Sequence, residues 1–191
     1  MNYLAHLFLA GDTPESLLGN LAGDFVKGRL GDEFPPAIKR GIVQHRKIDE
    51  FTDTHPAVAA FRRVIAAEYD HYARVIADVF FDHFLACDWN DYSAESLGEF
   101  LQRVFASLDP LLGQMPGRLP FLYPRMRDGR WLESYAEVDG IHIALRNLSR
   151  RFSRGPHLET STHFLVDARG TLHAHFRRFF PDVVDYAKRI R

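Results

Sequence analysis

Apolar residues recur along this chain at intervals of three and four rather than two, the spacing that lines one face of a helix. Thr13-Pro14-Glu15 reads as a helix start, with Thr13 as the N-cap and Pro14 at the first helical position, where its missing N–H costs nothing. This helix is predicted to run to about Lys27 and stop at Gly28. Pro35-Pro36 opens a second helix, with Ile38, Ile42 and Ile48 on its apolar side, which ends near Thr54 ahead of His55-Pro56. A long helical region follows from Pro56 to Cys87, bent near Tyr69–His71. Ser93, Glu95 and Ser96 start another helix that reaches about Leu108, before Pro110. The Gly-, Pro- and Arg-rich residues 113–130 predict a long loop, and further helices are expected over 137–152, 158–168 and 171–189. With no repeat, low-complexity run or Gly/Ser linker, the expectation is an all-α, single-domain helical bundle over residues 1–191.

Several polar residues interrupt the apolar faces. In Val43–Asp53, VQHRKIDEFTD, residues His45, Asp49 and Asp53 stand four apart and stack on one helix face. His45 and Asp49 continue the column of Ile38 and Ile42 and are expected to point inward; Asp53, beside Thr52 and Thr54 at the helix end, suits a capping or supporting role. In Tyr72–Asp88, Val75, Asp78, Asp82 and Leu85 share one stripe, and Ile76, Val79, His83 and Ala86 the next. Asp24 follows Leu17, Leu21 and Ala22, and His6 sits between apolar neighbours in a helix near the start. A bare buried carboxylate costs several kcal/mol, so inward acids on several helices need a cation or hydrogen bonds. A His/Asp set without cysteine points to a hard or borderline divalent ion such as Mn²⁺, Mg²⁺ or Fe²⁺. Helices around such a centre are the arrangement of HD-type phosphohydrolases. The chain has no His-Asp dipeptide, only Asp70-His71 and Asp82-His83, so a site of that kind is a variant.

Composition narrows the choices. Sixteen phenylalanines and a 46% hydrophobic content fit a chain of 191 residues that buries a substantial core. The single cysteine, Cys87, excludes an internal disulfide framework and a cysteine-based zinc cluster. The opening MNYLAHLFLAGD is apolar but lacks a basic flank, is broken by His6 and Asp12, and is too short to span a bilayer, so a cytoplasmic protein without membrane association is expected. Charge is unevenly placed: residues 1–116 sum to −7 and residues 117–191 to +6. An acidic, histidine-bearing half suits a cation, and a basic half suits a phosphate or an acidic partner. No nucleic-acid motif is present, and the overall pI of about 6.8 argues against a nucleic-acid partner.

Five stretches, in order, resemble the acyl carrier protein phosphodiesterase (holo-acyl-carrier-protein hydrolase) family. They are MNYLAHLFLA, GNLAGDFVKG, FPPAIKRGIVQHRKIDEFTD, DVFFDHFLACDW and Ser149-Arg150-Arg151. The resemblance implies a distorted HD-like helical fold, a divalent metal (usually Mn²⁺), and removal of 4′-phosphopantetheine from holo-acyl carrier protein to give the apo protein. It also implies metal ligation by Asp24 and Asp82, and for His45 and Asp49 it adds to the i,i+4 geometry; His6 and His83 are the next candidates. Asp24, Asp78 and His83 are candidates for proton transfer. Lys27, Arg46, Arg150 and Arg151 are candidate phosphate or substrate contacts. Arg146, Arg150, Arg151 and Arg154 recur at spacings that place most of them on one helix side, which suits an acidic carrier protein. Two other readings stay open: an HD-type phosphohydrolase acting on a nucleotide or other small phosphoester, and a non-catalytic helical module whose His/Asp cluster is a buried hydrogen-bond network.

Overall fold

The computed structural model describes residues 1–152 and 155–191, and Arg154 lies outside them. The helices are α1 (Tyr3–Leu9), α2 (Pro14–Ala22), α3 (Pro36–Thr54), α4 (Pro56–Tyr69), α5 (Ala73–Cys87) and α6 (Trp89–Tyr92). They continue as α7 (Leu97–Leu108), α8 (Leu119–Asp128), α9 (Val138–Ser149), α10 (Phe164–Asp167) and α11 (Arg169–Arg189). Short 3-10 turns join several of them, and the described residues contain no strand: the fold is all-α. Among the described residues no helix is long and apolar enough to cross a membrane.

The local starts follow the sequence chemistry. The Thr13 hydroxyl accepts from the Ser16 amide and Pro14 occupies the first turn of α2. Ser96 and Glu99 form a reciprocal capping box at the head of α7, later than Ser93. The bend after α4 is a turn over Asp70–Tyr72, with Asp70 in the left-handed region at φ 43°. α2 stops at Ala22, short of Lys27, and gives way to a 3-10 turn over Gly23–Phe25 that turns Asp24 out of the α2 register.

The largest departure is α8, which forms where a loop was expected. Leu119, Tyr123 and Met126 make a buried stripe at offsets of four and seven. The Tyr123 hydroxyl donates to the Phe105 carbonyl, 3.0 Å, which ties α8 to α7. Pro120 sits in the first turn, where it is tolerated, and Pro124 lies inside the helix. Tertiary burial of the stripe outweighs the Gly/Pro/Arg composition. The expected 158–168 helix is likewise a 3-10 turn, Leu158–His163, followed by the four-residue α10.

Two packing features position the site. α2 and α3 meet at Gly19 and Gly41, where a Cβ on Gly19 would lie 2.6 Å from the Gly41 Cα. Only glycine permits that approach, and it brings the end of α2 against the middle of α3. Beside it, the buried Gln44 amide accepts from Asn20 at 2.9 Å and donates to the carbonyls of Leu9 and Ala187, joining α1, α2, α3 and α11. Behind α5, Phe61, Phe81, Phe84, Phe176, Phe179 and Phe180 form an aromatic core against α4 and α11.

Candidate metal centre

α3 presents His45 and Asp49 one turn apart, and α1 brings His6 against them. His6 Nε2 lies 3.1 Å from Asp49 Oδ1, and His45 Nε2 lies 3.3 Å from Asp49 Oδ2 and 3.6 Å from Asp24 Oδ1. The two imidazoles stack with ring centroids 3.7 Å apart. One ligand atom from each of His6, His45 and Asp49 can be chosen so that all lie within 4.8 Å of one another. His45 Nδ1 is 2.8 Å from the Asn20 carbonyl, to which it donates, so its other nitrogen faces the carboxylates. Gly23 makes room for this ring: a Cβ there would lie 2.2 Å from it.

The electrostatics fit a cation. Burial disfavours a charged imidazole, yet the Asp24 and Asp49 carboxylates outweigh it and raise the His45 pKa to about 9. Burial, with the neighbouring His45, lowers His6 to about 4. Asp49 and Asp24 are held below the ordinary carboxylate range: their burial works against ionisation, but the Met1 ammonium and His45 more than compensate at Asp49, and His45 does so at Asp24. The Met1 ammonium lies 3.2 Å from both Asp49 and Asp78, a positive charge drawn to the same acidic ground. His6 Nδ1 is buried without a hydrogen-bond partner. Two converging imidazole nitrogens, one with its tautomer fixed by a carbonyl, together with two ionised carboxylates, form a donor set that fits Mn²⁺ or Fe²⁺, and less readily Mg²⁺.

The cluster opens into a cleft of about 250 Å³ lined by Met1, Tyr3, Asp24, Asp49, Asp78 and Arg151, among others. Asp24 is the exposed member of the set, its side chain 47% accessible, against 4% for His45. Tyr3 stacks on Phe25 at 6.3 Å and meets the edge of Trp131 at 5.8 Å.

Not every expected residue joins this group. Asp82 is wholly buried, and its two oxygens accept the amides of Leu4 and Ala5 at 2.8 and 3.0 Å. It supplies from α5 the cap that Asn2 does not, since Asn2 donates instead to the Tyr135 hydroxyl at 3.1 Å. Burial pushes the Asp82 pKa up to about 7 against the pull of those amides. Asp82 therefore holds the helix that carries His6 and stands apart from the converging ligand atoms. His83 also lies elsewhere: Nδ1 faces the Tyr135 carbonyl at 2.8 Å, and Nε2 accepts from Arg169 at 3.1 Å. Asp78 lines the cleft, partly buried beside the Met1 ammonium, with Arg62 at 3.7 Å. Asp53 pairs with Arg62 at 2.9 Å and with Arg74, supporting this network rather than capping α3.

Of the expected phosphate contacts, only Arg151 lines the cleft. Lys27 is exposed, Arg46 donates to the Val26 carbonyl at 2.9 Å, and Arg150 and Arg146 face outward from the end of α9. The sequence reading missed the Met1 ammonium, Tyr3, Gly23 and the Arg62–Arg74 pair. Gly23-Asp24 was the one usable signal, a glycine next to a candidate ligand.

The match to known proteins covers the whole arrangement. The family model described as "Acyl carrier protein phosphodiesterase" matches residues 1–183. Proteins named acyl carrier protein phosphodiesterase from Yersinia pestis and from Serratia proteamaculans (strain 568) are 36% and 38% identical to the chain, each match covering 98% of both sequences. One from Salmonella agona (strain SL483) is 34% identical over 99% of this chain and 98% of its own. No solved structure matches the chain at a significant level. This chain belongs to the acyl carrier protein phosphodiesterase family.

Proposed function

We propose that the chain hydrolyses the phosphodiester joining 4′-phosphopantetheine to a serine of holo-acyl carrier protein, releasing apo-acyl carrier protein and 4′-phosphopantetheine. His6, His45, Asp49 and Asp24 would hold a divalent cation, Mn²⁺ first and Mg²⁺ or Fe²⁺ after it, in a variant of the HD-type arrangement. The observation that carries this reading is the convergence of His6 Nε2 and His45 Nε2 on the Asp49 carboxylate, which with Asp24 lines a cleft that also holds the Arg151 guanidinium, in a chain of this family. A cytoplasmic setting belongs to the same reading.

A divalent ion in such a site supplies a water of lowered pKa and neutralises charge on the phosphoryl group. The protein's own groups do the rest. The Asn20 carbonyl fixes the His45 tautomer, so Nε2 presents its lone pair once its proton has left. Asp24, ionised and at the cleft mouth, orients the attacking water and takes its proton at a carboxylate oxygen. Arg151, in the cleft lining, offsets the charge that develops on the non-bridging phosphate oxygens. Asp78, fixed between the Met1 ammonium and Arg62, orients the base of the cleft.

Incubation of holo-acyl carrier protein with the enzyme and Mn²⁺, followed by intact-mass measurement, tests the proposal. Loss of the phosphopantetheine mass, abolished by Asp24→Ala, is expected. An unchanged carrier mass would overturn it; with small-phosphoester turnover intact, that result would favour the alternative phosphohydrolase.

A further inference from the structure

The part of the chain that the sequence left as a loop carries the most exposed large apolar side chain among the described residues. Phe121 on α8 is 76% exposed, ahead of Val166 on α10 at 69% and Ile143 on α9 at 48%, and it is the aromatic ring among the three. An aromatic ring so exposed forgoes burial that the fold could have supplied, and such rings serve as anchors at protein interfaces. Arg118, three residues before it, and Arg125, four after it, lie on the same side of the helix, and both are exposed. Among the described residues neither has a carboxylate within ion-pair distance, whereas Arg127 pairs with Asp109 and Asp128, and Arg130 with Glu133. α8 therefore shows an aromatic ring between two uncommitted guanidinium groups.

The segment also adjoins the surroundings of the cleft at both ends. Gly117, just before α8, adopts φ 55°, and a Cβ there would lie 3.7 Å from the carbonyl oxygen of Phe25, the neighbour of Asp24. Trp131, just after α8, packs its ring against Tyr3 in the cleft wall. The two ends of the segment that carries α8 therefore adjoin the residue next to Asp24 and a residue of the cleft wall.

We propose that the outer face of α8, with Phe121 as the apolar anchor and Arg118 and Arg125 as its charged flanks, docks the acidic carrier protein substrate. The inference rests on the carrier-protein reading above. An acidic surface with an apolar seam matches this face in charge and in its exposed aromatic anchor, and the guanidinium groups would steer its approach. A second basic group comprises Arg146 near the end of α9 and Arg150 and Arg151 just after it: Arg151 lines the cleft, and Arg146 and Arg150 contribute less to docking because Ile143, their apolar neighbour, is smaller and half covered.

The test is titration of apo-acyl carrier protein onto the full chain, together with steady-state kinetics on holo-acyl carrier protein and on bis(p-nitrophenyl) phosphate, with Mn²⁺. Phe121→Ala is expected to weaken carrier binding and raise KM about tenfold or more, with kcat and small-diester turnover within about twofold. Arg118→Glu with Arg125→Glu is expected to do the same and to flatten the salt dependence of binding. These side chains are exposed, so folding is preserved, which thermal melting checks. Carrier affinity and KM within twofold of wild type in both variants would overturn the proposal. So would a larger effect from Arg146→Glu with Arg150→Glu on α9. Binding through Phe121 without cleavage would uphold the docking face and sink the hydrolase reading, so the two fail separately.

Discussion

His45 and His83 are built alike and surrounded differently. Each is buried on a central helix, and each has Nδ1 against a backbone carbonyl, Asn20 for one and Tyr135 for the other, both at 2.8 Å. The contrast lies at Nε2. His45 turns it toward Asp24 and Asp49, and His83 turns it toward the Arg169 guanidinium. Carboxylates raise the affinity of the first ring for a positive charge against its burial, whereas burial and then Arg169 lower that of the second. A cation is welcomed at one and already present at the other. Inward orientation of a histidine is therefore an incomplete criterion for a ligand; the sign of the charge facing its free nitrogen completes it.

The sharpest way to break this comparison is to remove each ring. His45→Ala or Asp49→Ala is expected to abolish Mn²⁺ binding and to lower phosphodiesterase activity by roughly a thousandfold or more, while His83→Ala leaves metal uptake unchanged. Calorimetric Mn²⁺ titration of the three variants reads this directly, and equal loss from His83→Ala would erase the distinction.

A smaller effect follows from the floor under His45. Gly23→Ala places a methyl group where the ring now lies, so the ring must shift. Metal affinity is expected to fall about 10–100-fold, comparable to loss of an orienting partner, while helix content by circular dichroism stays the same. Unaltered affinity would show that the ring is free to move without cost.

Asp82→Asn addresses the α5 carboxylate that the family resemblance placed among the ligands. As the cap of α1, it should cost about 1–3 kcal/mol of stability and speed hydrogen exchange at the Leu4 and Ala5 amides, with metal stoichiometry preserved. Metal loss equal to that of His45→Ala, without faster exchange at those amides, would return Asp82 to the ligand set.

The gentlest probe is pH. In the metal-free chain His45 holds its proton to about pH 9, above an ordinary histidine at 6.5. The stability this contributes is present in full below pH 6.5 and is lost as the pH rises through about 9. A bound ion replaces that proton, so Mn²⁺ affinity is expected to rise by up to about tenfold per pH unit between neutrality and pH 9. A flat profile in buffers matched for ionic strength would mean that His45 carries no proton for the metal to displace.

Much of this was legible beforehand. The His45/Asp49 pair followed from i,i+4 spacing on a helix whose apolar column was plain, and the α4–α5 bend followed from the polar Asp70-His71 break. Asp82 was correctly read as buried, but periodicity says that a carboxylate points inward without saying what it meets there. The amides of Leu4 and Ala5 come from 78 and 77 residues away. α8 was hidden because its two prolines and flanking glycines signal a loop, while the stripe of Leu119, Tyr123 and Met126 gains its stability only from tertiary burial. The Met1 ammonium had no sequence signal at all, being a backbone group drawn in by Asp49 and Asp78.

Anomalous scattering from a crystal of the protein grown with Mn²⁺ tests the central claim most directly. A peak bonded to His6 Nε2, His45 Nε2 and Asp49, with Asp24 at its edge, is the predicted result. A peak at His83 or Asp82 with this cluster empty, or none at millimolar Mn²⁺ with the cluster intact, would contradict it.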